Sequence, residues 1–266
     1  MRTRYVKSPD DIRRLQQIYA TPSFLQATSL SVSFLTDPEV VRELLPPPLM
    51  PAAEPRVSVS VYTIGASNCV GPFDGASVNI ACQYEGQDGL YCLTMPMSTD
   101  TAIVFGRELY AEPKKLAECR LENRGRFARG TVTRHGIPYI ELNGTFEDPM
   151  ETVERASTSH HYYFKYLPAA DGRGLASDPQ LIRVTHRGIT HRLTRGTCTL
   201  TFRESPHDPV IDLPVHLVEG AAMSESETHT TAEVVATVPA ADFLPWAYGK
   251  TDDLTQWAGP GVVAAK

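Results

Sequence analysis

The chain has 266 residues, of which 42% are hydrophobic and 21% are charged, and its formal net charge is −6. This size suits one larger globular domain or two small ones, and an acidic balance without a basic cluster argues against a nucleic-acid surface. No apolar run approaches the roughly 18 residues that span a membrane, and five scattered cysteines favour reduced thiols, so we expect a cytoplasmic protein.

Two helices are predicted near the N-terminus. Ser8 is a suitable N-cap because Pro9 follows at the first helical position and Asp11 comes three residues after Ser8. A second helix is predicted behind Asp37, and it ends at the prolines 46–48. In the first helix, the apolar residues form one stripe at helical spacing: Ile12, Leu15, Ile18 and Tyr19.

Most of the remaining chain is predicted to be β-strand. Residues 57–62 alternate strictly, so the valines face one side while Ser58, Ser60 and Tyr62 face the other. The segment 148–155 is predicted to be helical, because Asp-Pro starts it. Many strands with a few short helices indicate a barrel-like antiparallel sheet. Further strands are predicted over residues 77–84, 90–97, 127–133, 139–142, 190–201 and 233–238.

The most informative segment is 106–116, which reads Gly-Arg-Glu-Leu-Tyr-Ala-Glu-Pro-Lys-Lys-Leu. Lys114 and Lys115 follow a proline in an otherwise apolar neighbourhood. A lysine with the ordinary pKa of about 10.4 is a poor nucleophile at neutral pH, but burial or a neighbouring ammonium disfavours the charged form. A buried pair therefore predicts an amine that attacks ketones. A solvated charge pair at the end of a strand is the alternative interpretation.

The pattern Gly-Arg-Glu-x-x-x-x-Pro-Lys-Lys-Leu resembles acetoacetate decarboxylase and its superfamily. The resemblance covers most of the chain and implies a mainly β fold, a closed, cone-shaped sheet with a few short helices and an inward-pointing lysine. It gives the first lysine, Lys114, as the Schiff-base nucleophile, and acetoacetate decarboxylase is the established example of such an activated lysine. The supporting segments are 21–24, 45–49, 161–168 and 212–215.

The second lysine is expected to act mainly by positioning. Neighbouring side chains of an extended segment point to opposite faces, so the two ammonium groups lie on the order of 8 Å apart or more. Their repulsion is then roughly 2 kcal/mol, and desolvation can contribute more. We expect Lys115 to pair with an acid such as Glu108 or Glu112. Arg107 and Glu108 are expected to form a structural ion pair that steadies the turn before Lys114.

Other positions depart from the true decarboxylases. Ala27 stands where the resemblance places an arginine, and Ser60 stands where it places a glutamate. A second glutamate is matched only by Asp74, and only with a one-residue insertion. We therefore expect a changed substrate or a changed reaction. The expected catalytic residues are Lys114, Lys115 and Asp74, and the expected substrate-binding residues are Ser60, Tyr62, Tyr248 and Glu112.

The function expected on these grounds is that of a lyase without cofactor or metal, which forms a Schiff base with a small oxo acid and decarboxylates a 3-oxo acid other than acetoacetate. Two alternatives stay open. One is a pyruvate aldolase-dehydratase that uses the same lysine, since the superfamily includes such enzymes. The other is a non-catalytic protein that binds a small oxo acid or a hydrophobic ligand.

The histidines are not expected to bind a metal. Neighbouring strand residues, and strand residues five apart, face opposite ways, so surface or hydrogen-bonded roles are predicted for His160, His161, His186 and His191. We expect one acetoacetate decarboxylase-like domain over residues 1–256 and a frayed tail over residues 257–266. We also expect a homo-oligomer without nucleic-acid or membrane partners.

Overall fold

The computed structural model describes residues 3–257. The helices are α1 Pro9–Ala20, α2 Pro38–Leu44, α3 Asp100–Tyr110 and α4 Ala240–Ala247, with 3-10 turns at Val210–Asp212 and Leu254–Trp257. Within the described residues, no helix is long and apolar enough to cross a bilayer. The strands are β1 Ser23–Leu35, β2 Met50–Pro51, β3 Arg56–Ser67, β4 Phe73–Tyr84, β5 Gln87–Met97, β6 Lys114–Leu116, β7 Glu118–Arg124, β8 Phe127–Arg134, β9 Ile137–Thr145, β10 Glu151–Lys165, β11 Gln180–Phe202 and β12 Leu217–Thr237.

The two N-terminal helices begin where the sequence predicts. Ser8 caps α1 reciprocally: its Oγ accepts from the Asp11 backbone N–H at 3.1 Å, while its own N–H donates to the Asp11 carboxylate at 3.2 Å. The apolar stripe of α1 does not enter the core, since Ile12 and Leu15 are 44% and 40% exposed. Tyr19 stacks on Phe105 of α3, with ring centroids 5.2 Å apart.

The prediction of a helix over residues 148–155 is wrong. Residues from Glu151 onward belong to β10, which pairs antiparallel with β11 and places Ala156 opposite Ile189. The Asp-Pro pair favours a helix start only locally. The hydrogen bonds with the neighbouring strand β11 override this local preference. Conversely, the sequence analysis missed α3, whose N-cap Thr99 accepts a hydrogen bond from the Ala102 backbone N–H at 3.4 Å.

The strands close into a barrel. β10, β5, β4, β3, β1, β12 and β11 pair in that order, and β10 also pairs with β11, which completes the ring. The sheet is mixed, because β5 pairs parallel with both β10 and β6 while the other pairings are antiparallel. β9, β8 and β7 continue the sheet from the distal half of β11. The mainly β, barrel-like fold expected from the sequence is confirmed.

Alternate side chains of β3 face the apolar core and the interior of the barrel. Val57, Val59 and Val61 are fully buried in the main apolar cluster, which also contains residues of β8 and β9. A Cβ on Gly130 of β8 would lie 2.8 Å from Val61, so the two layers touch closely. Ser60 on the opposite face of β3 points into the barrel. Because such inward side chains are small, the barrel keeps an internal cavity.

Candidate active site

Lys114 reaches the barrel interior at the junction of α3 and β6. α3 ends at Ala111 in the left-handed region with φ 63°, and the carbonyl of Pro113 then accepts from the Met95 backbone N–H at 3.1 Å. This begins the parallel pairing in which Lys114 lies opposite Met95. The guanidinium of Arg107 donates to the Lys114 carbonyl at 3.0 Å. The backbone of Lys114 is therefore fixed on both sides, and its side chain is only 6% exposed.

The cavity that receives Lys114 has a volume of about 380 Å³. One part of its wall is apolar and belongs largely to a second core cluster around the lysine: Phe24, Ala27, Ile64, Phe73, Met95 and Met97. The other part is polar and comes from inward positions on six strands: Ser29, Ser58, Ser60, Tyr62, Ser77, Asn79, Ser159, His161, Tyr163, His186, Ser226 and Thr228.

Lys114 forms a buried ion pair with Glu112. Its Nζ lies 2.7 Å from Glu112 Oε2, and the two residues are 6% and 7% exposed. A buried charge of either sign alone is strongly destabilising, so each side chain compensates the other. Gly106 of α3 makes room for the pair, because a Cβ there would lie 2.5 Å from Lys114 Nζ and closer still to Glu112 Oε2.

Two histidines line the same cavity. The rings of His161 on β10 and His186 on β11 meet edge to face, with centroids 4.7 Å apart. His186 Nδ1 lies 3.1 Å from Thr230 Oγ1, and the Tyr163 hydroxyl lies 3.5 Å from His161 Nδ1. Burial lowers the pKa of His186 to about 4 and the pKa of His161 well below its usual value. Both imidazoles are therefore neutral at pH 7.

His161 and His186 were not predicted from the sequence to be part of the site. The available signal was the two-residue spacing of His161 and Tyr163, which puts both on one face of a strand. The predicted separation of His186 from His191 is confirmed, since His191 pairs with Glu154 at 3.0 Å outside this cavity. Among the residues described, no three His, Cys, Asp or Glu side chains gather as metal ligands.

The polar wall offers hydroxyl and amide groups to a ligand. Ser60 Oγ lies 2.8 Å from Ser31 Oγ, and Asn79 donates from Nδ2 to Ser77 Oγ at 3.0 Å. The Asn79 Oδ1 atom is buried without a hydrogen-bond partner among the described residues. Burial raises the pKa of Tyr62 well above its usual value, so its hydroxyl keeps its proton.

Lys115 points to the opposite face of β6, as predicted for an extended segment. Its Nζ donates to the His207 carbonyl at 2.7 Å and to Asp208 Oδ1 at 3.0 Å, and Asp252 Oδ1 lies 3.4 Å away. Arg134 binds both carboxylates, at 2.6 Å to Asp208 and 2.9 Å to Asp252. We call these four side chains the Lys115 network. The prediction that Lys115 pairs with Glu108 or Glu112 is wrong. Side chains alternate along β6, so Lys115 lies on the face away from these residues.

The remaining predicted site residues lie elsewhere. Asp74 occupies a position on β4 that alternates away from the cavity, and its carboxylate accepts from Thr63 Oγ1 at 2.7 Å. Tyr248 follows α4 and is 51% exposed, outside the cavity lining. Arg107 is structural as predicted, but it donates to the carbonyls of Lys114 and Lys250 rather than pairing with Glu108.

The last described residue is exposed but contacts a histidine ring. Trp257, the first residue of the predicted frayed tail, stacks on His207 with ring centroids 5.4 Å apart. The rest of that predicted tail, residues 258–266, lies outside the described residues.

The sequence is similar to those of proteins named acetoacetate decarboxylase. It is 29% identical over 221 residues to the acetoacetate decarboxylase of Burkholderia multivorans, covering 80% of this chain and 87% of the relative. It is 28% identical over 206 residues to the acetoacetate decarboxylase of Streptomyces nogalater, covering 75% and 82% of the two chains.

Solved structures share the fold. The acetoacetate decarboxylase of Legionella pneumophila superposes with a TM-score of 0.74 at 18% identity, covering 81% of this chain and 87% of that one. The enduracididine biosynthesis enzyme MppR, complexed with pyruvate, gives a TM-score of 0.65 at 15% identity, covering 81% and 90%. The family model Acetoacetate decarboxylase (ADC) matches residues 11–238. With this match over most of its length, the chain belongs to the acetoacetate decarboxylase family.

Proposed function

We propose that this protein is a lyase that forms a Schiff base between Lys114 and a small 3-oxo acid and then removes carbon dioxide from it. The observation that carries the proposal is the placement of Lys114. Its amine ends in an internal cavity, 2.7 Å from the Glu112 carboxylate and beside apolar side chains. A carboxylate at this distance can act as the base that takes up the proton lost by the nitrogen when the amine attacks a ketone.

The reaction needs one amine and one general acid–base group. The nitrogen lone pair adds to the ketone carbon, and loss of water gives a protonated imine. The bond to the carboxylate carbon then breaks, its electron pair moves to the imine nitrogen, and carbon dioxide leaves an enamine. The enamine carbon takes up a proton, and hydrolysis of the imine releases the ketone and restores the amine. Glu112 is the group next to the nitrogen that can hold and return these protons.

The cavity wall favours a 3-oxo acid larger than acetoacetate. No arginine lines the described cavity, so the substrate carboxylate meets neutral hydroxyl and amide groups instead of a guanidinium. Ala27 and Ser60 are small side chains that leave room beyond a methyl group. A larger apolar substituent can bury more surface against this wall, which offsets the missing charged contact.

The experiment compares carbon dioxide release from acetoacetate and from 3-oxohexanoate. We expect the longer acid to react with a kcat/KM about 100-fold higher, the size of a few kcal/mol in transition-state binding. Lys114→Arg should abolish release, whereas Lys165→Arg, on the exposed end of β10, should not. Efficient release from acetoacetate would contradict the proposed substrate, and binding of both acids without release would favour the non-catalytic alternative.

A second candidate reaction is the aldol addition and dehydration of pyruvate with an aldehyde. The observation that favours it is the neutral His161–His186 pair in the cavity. Aldol addition followed by dehydration needs more proton transfers than decarboxylation does. Incubation with pyruvate and an aromatic aldehyde tests it. Growth of enone absorbance that depends on Lys114 would support this reaction, and its absence alongside carbon dioxide release from a 3-oxo acid would exclude it.

A further inference from the structure

A second cavity lies beside α4. Its volume is about 220 Å³, and its wall is mainly apolar and rich in aromatic side chains, with Lys250 as its cation. We call it the α4 cavity. The residues used below are Tyr91, Phe164, Tyr166, Phe243, Trp246 and Lys250.

Lys250 is a cation without a carboxylate partner among the described residues. Its Nζ lies 4.0 Å from the centroid of the Tyr166 ring. Burial and then the charge of Arg107 lower the pKa of Lys250 to about 8, while Glu108 acts in the opposite direction. The ammonium is therefore charged at pH 7. A ring face compensates a half-buried ammonium less well than an anion does.

We propose that the α4 cavity is a second binding site, which takes a small carboxylate with an aromatic or branched apolar body. The carboxylate meets the Lys250 ammonium, and the body lies against Phe164, Phe243 and Trp246. A concave, mostly apolar wall with one well-placed polar group is the usual composition of a small-ligand site. The anion supplies the carboxylate partner that Lys250 lacks among the described residues, while the aromatic wall buries the body.

The α4 cavity is separate from the candidate active site but shares structure with it. Tyr163 lines both cavities, whereas Lys114 lines only the first. The guanidinium of Arg107 binds the carbonyls of both Lys114 and Lys250. A ligand at Lys250 therefore does not need the Lys114 amine, and variants of the two lysines distinguish the two sites.

The test uses benzoate as the probe and benzamide as its uncharged isostere. Binding is followed by the fluorescence of Trp246 in a Trp257→Phe background, which removes the other tryptophan. We expect benzoate binding to saturate. The affinity for benzamide should be at least about tenfold lower, because benzamide cannot form a charge-assisted hydrogen bond with the ammonium. Lys250→Met should lose about tenfold in benzoate affinity and keep its benzamide affinity. Lys114→Arg and the surface control Lys165→Met should both bind benzoate normally.

The proposal is overturned by any of three results. The first is equal affinity for benzoate and benzamide, a comparison that needs no variant of Lys250 and stands even if Lys250→Met fails to fold. The second is benzoate binding that is lost in Lys114→Arg but unchanged in Lys250→Met, which would assign the ligand to the first cavity. The third is the absence of a saturable change in Trp246 fluorescence with benzoate.

Discussion

Lys114 and Lys115 are neighbours in the chain, but their ammonium groups lie on opposite faces of β6 in two separate buried ion pairs. Lys114 Nζ lies 2.7 Å from Glu112 Oε2, and Lys115 Nζ lies 3.0 Å from Asp208 Oδ1. The charge of Lys115 is compensated by Asp208 and Asp252. The second lysine therefore contributes to the position of the first through the backbone of β6, and its own charge is largely screened from the cavity.

Replacing Lys115 tests this division of roles. Lys115→Met removes a cation that binds the buried Asp208 carboxylate, so we expect the free energy of unfolding to fall by about 3 kcal/mol. Lys115→Arg keeps the charge and should lower the free energy of unfolding by less. Both folded variants should still form an imine at Lys114. Urea denaturation and borohydride trapping measure the two effects, and a Lys115→Met variant of full stability that fails to trap would contradict the assignment.

Replacing Glu112 tests proton transfer at the lysine. Glu112→Gln removes the proton acceptor next to Lys114 Nζ and leaves a buried ammonium without its counter-charge. We expect kcat to fall about 100-fold or more, the usual contribution of a general acid–base group. Single-turnover imine formation should slow equally. Glu108→Gln, on the exposed side of α3, is the matched control and should change neither rate; a Glu112→Gln variant with unchanged kcat would refute the role.

Filling the space at Gly106 should displace the Lys114–Glu112 pair. The Cβ of Gly106→Ala would lie 2.5 Å from Lys114 Nζ, so the amine must move. Alanine raises helix propensity by up to about 1 kcal/mol, so the helix itself should tolerate the change. We expect trapping by a 3-oxo acid to slow at least about tenfold. Val104→Ala, exposed on the same helix, should trap at the normal rate, and equal rates in the two variants would show that the close approach is unimportant.

The buried histidines predict a loss of stability in mild acid. The folded pKa of His186 lies near 4, below the ordinary value of 6.5, because burial penalises the charged ring. Between these values the unfolded chain binds more protons, so stability falls as pH falls through this range. Glu112 opposes the shift, while Lys114 and His160 reinforce it.

Urea denaturation at about pH 7 and about pH 5 measures this contribution. We expect His186→Asn to remove about 2 kcal/mol from the difference between the two pH values. His216→Asn is the control, because His216 is exposed and pairs loosely with Asp37 at 3.7 Å. An unchanged pH dependence in His186→Asn would mean that the ring is not held neutral in the folded protein.

Local sequence patterns were sufficient for the alternation along β3 and for the separation of Lys114 from Lys115, whereas the inward direction of Lys114 was implied by the family resemblance. The strict alternation of residues 57–62 predicted that the valines of β3 face one side and that Ser58, Ser60 and Tyr62 face the other. The same period explains why Lys114 and Lys115 separate. These predictions depend only on the two-residue repeat of an extended chain.

Contacts between strands could not be predicted in this way. His161 and His186 meet because β10 and β11 pair in a register that places Ser159 opposite His186, and register depends on the whole sheet. The pairing of Lys114 with Glu112 depends on the left-handed conformation of Ala111, a residue type that rarely adopts it. Asp74 was predicted to be catalytic from an alignment alone, whereas its place on β4 directs it away from the cavity.

The most direct test of the proposed function is borohydride trapping with a 3-oxo acid, followed by intact-mass measurement and peptide mapping. We predict one stable adduct on Lys114, retained in Lys115→Arg. Lys114→Arg should abolish it because arginine stays charged at any accessible pH. An adduct on Lys115 or Lys250 in place of Lys114, or no adduct with any 3-oxo acid or with pyruvate, would contradict the account.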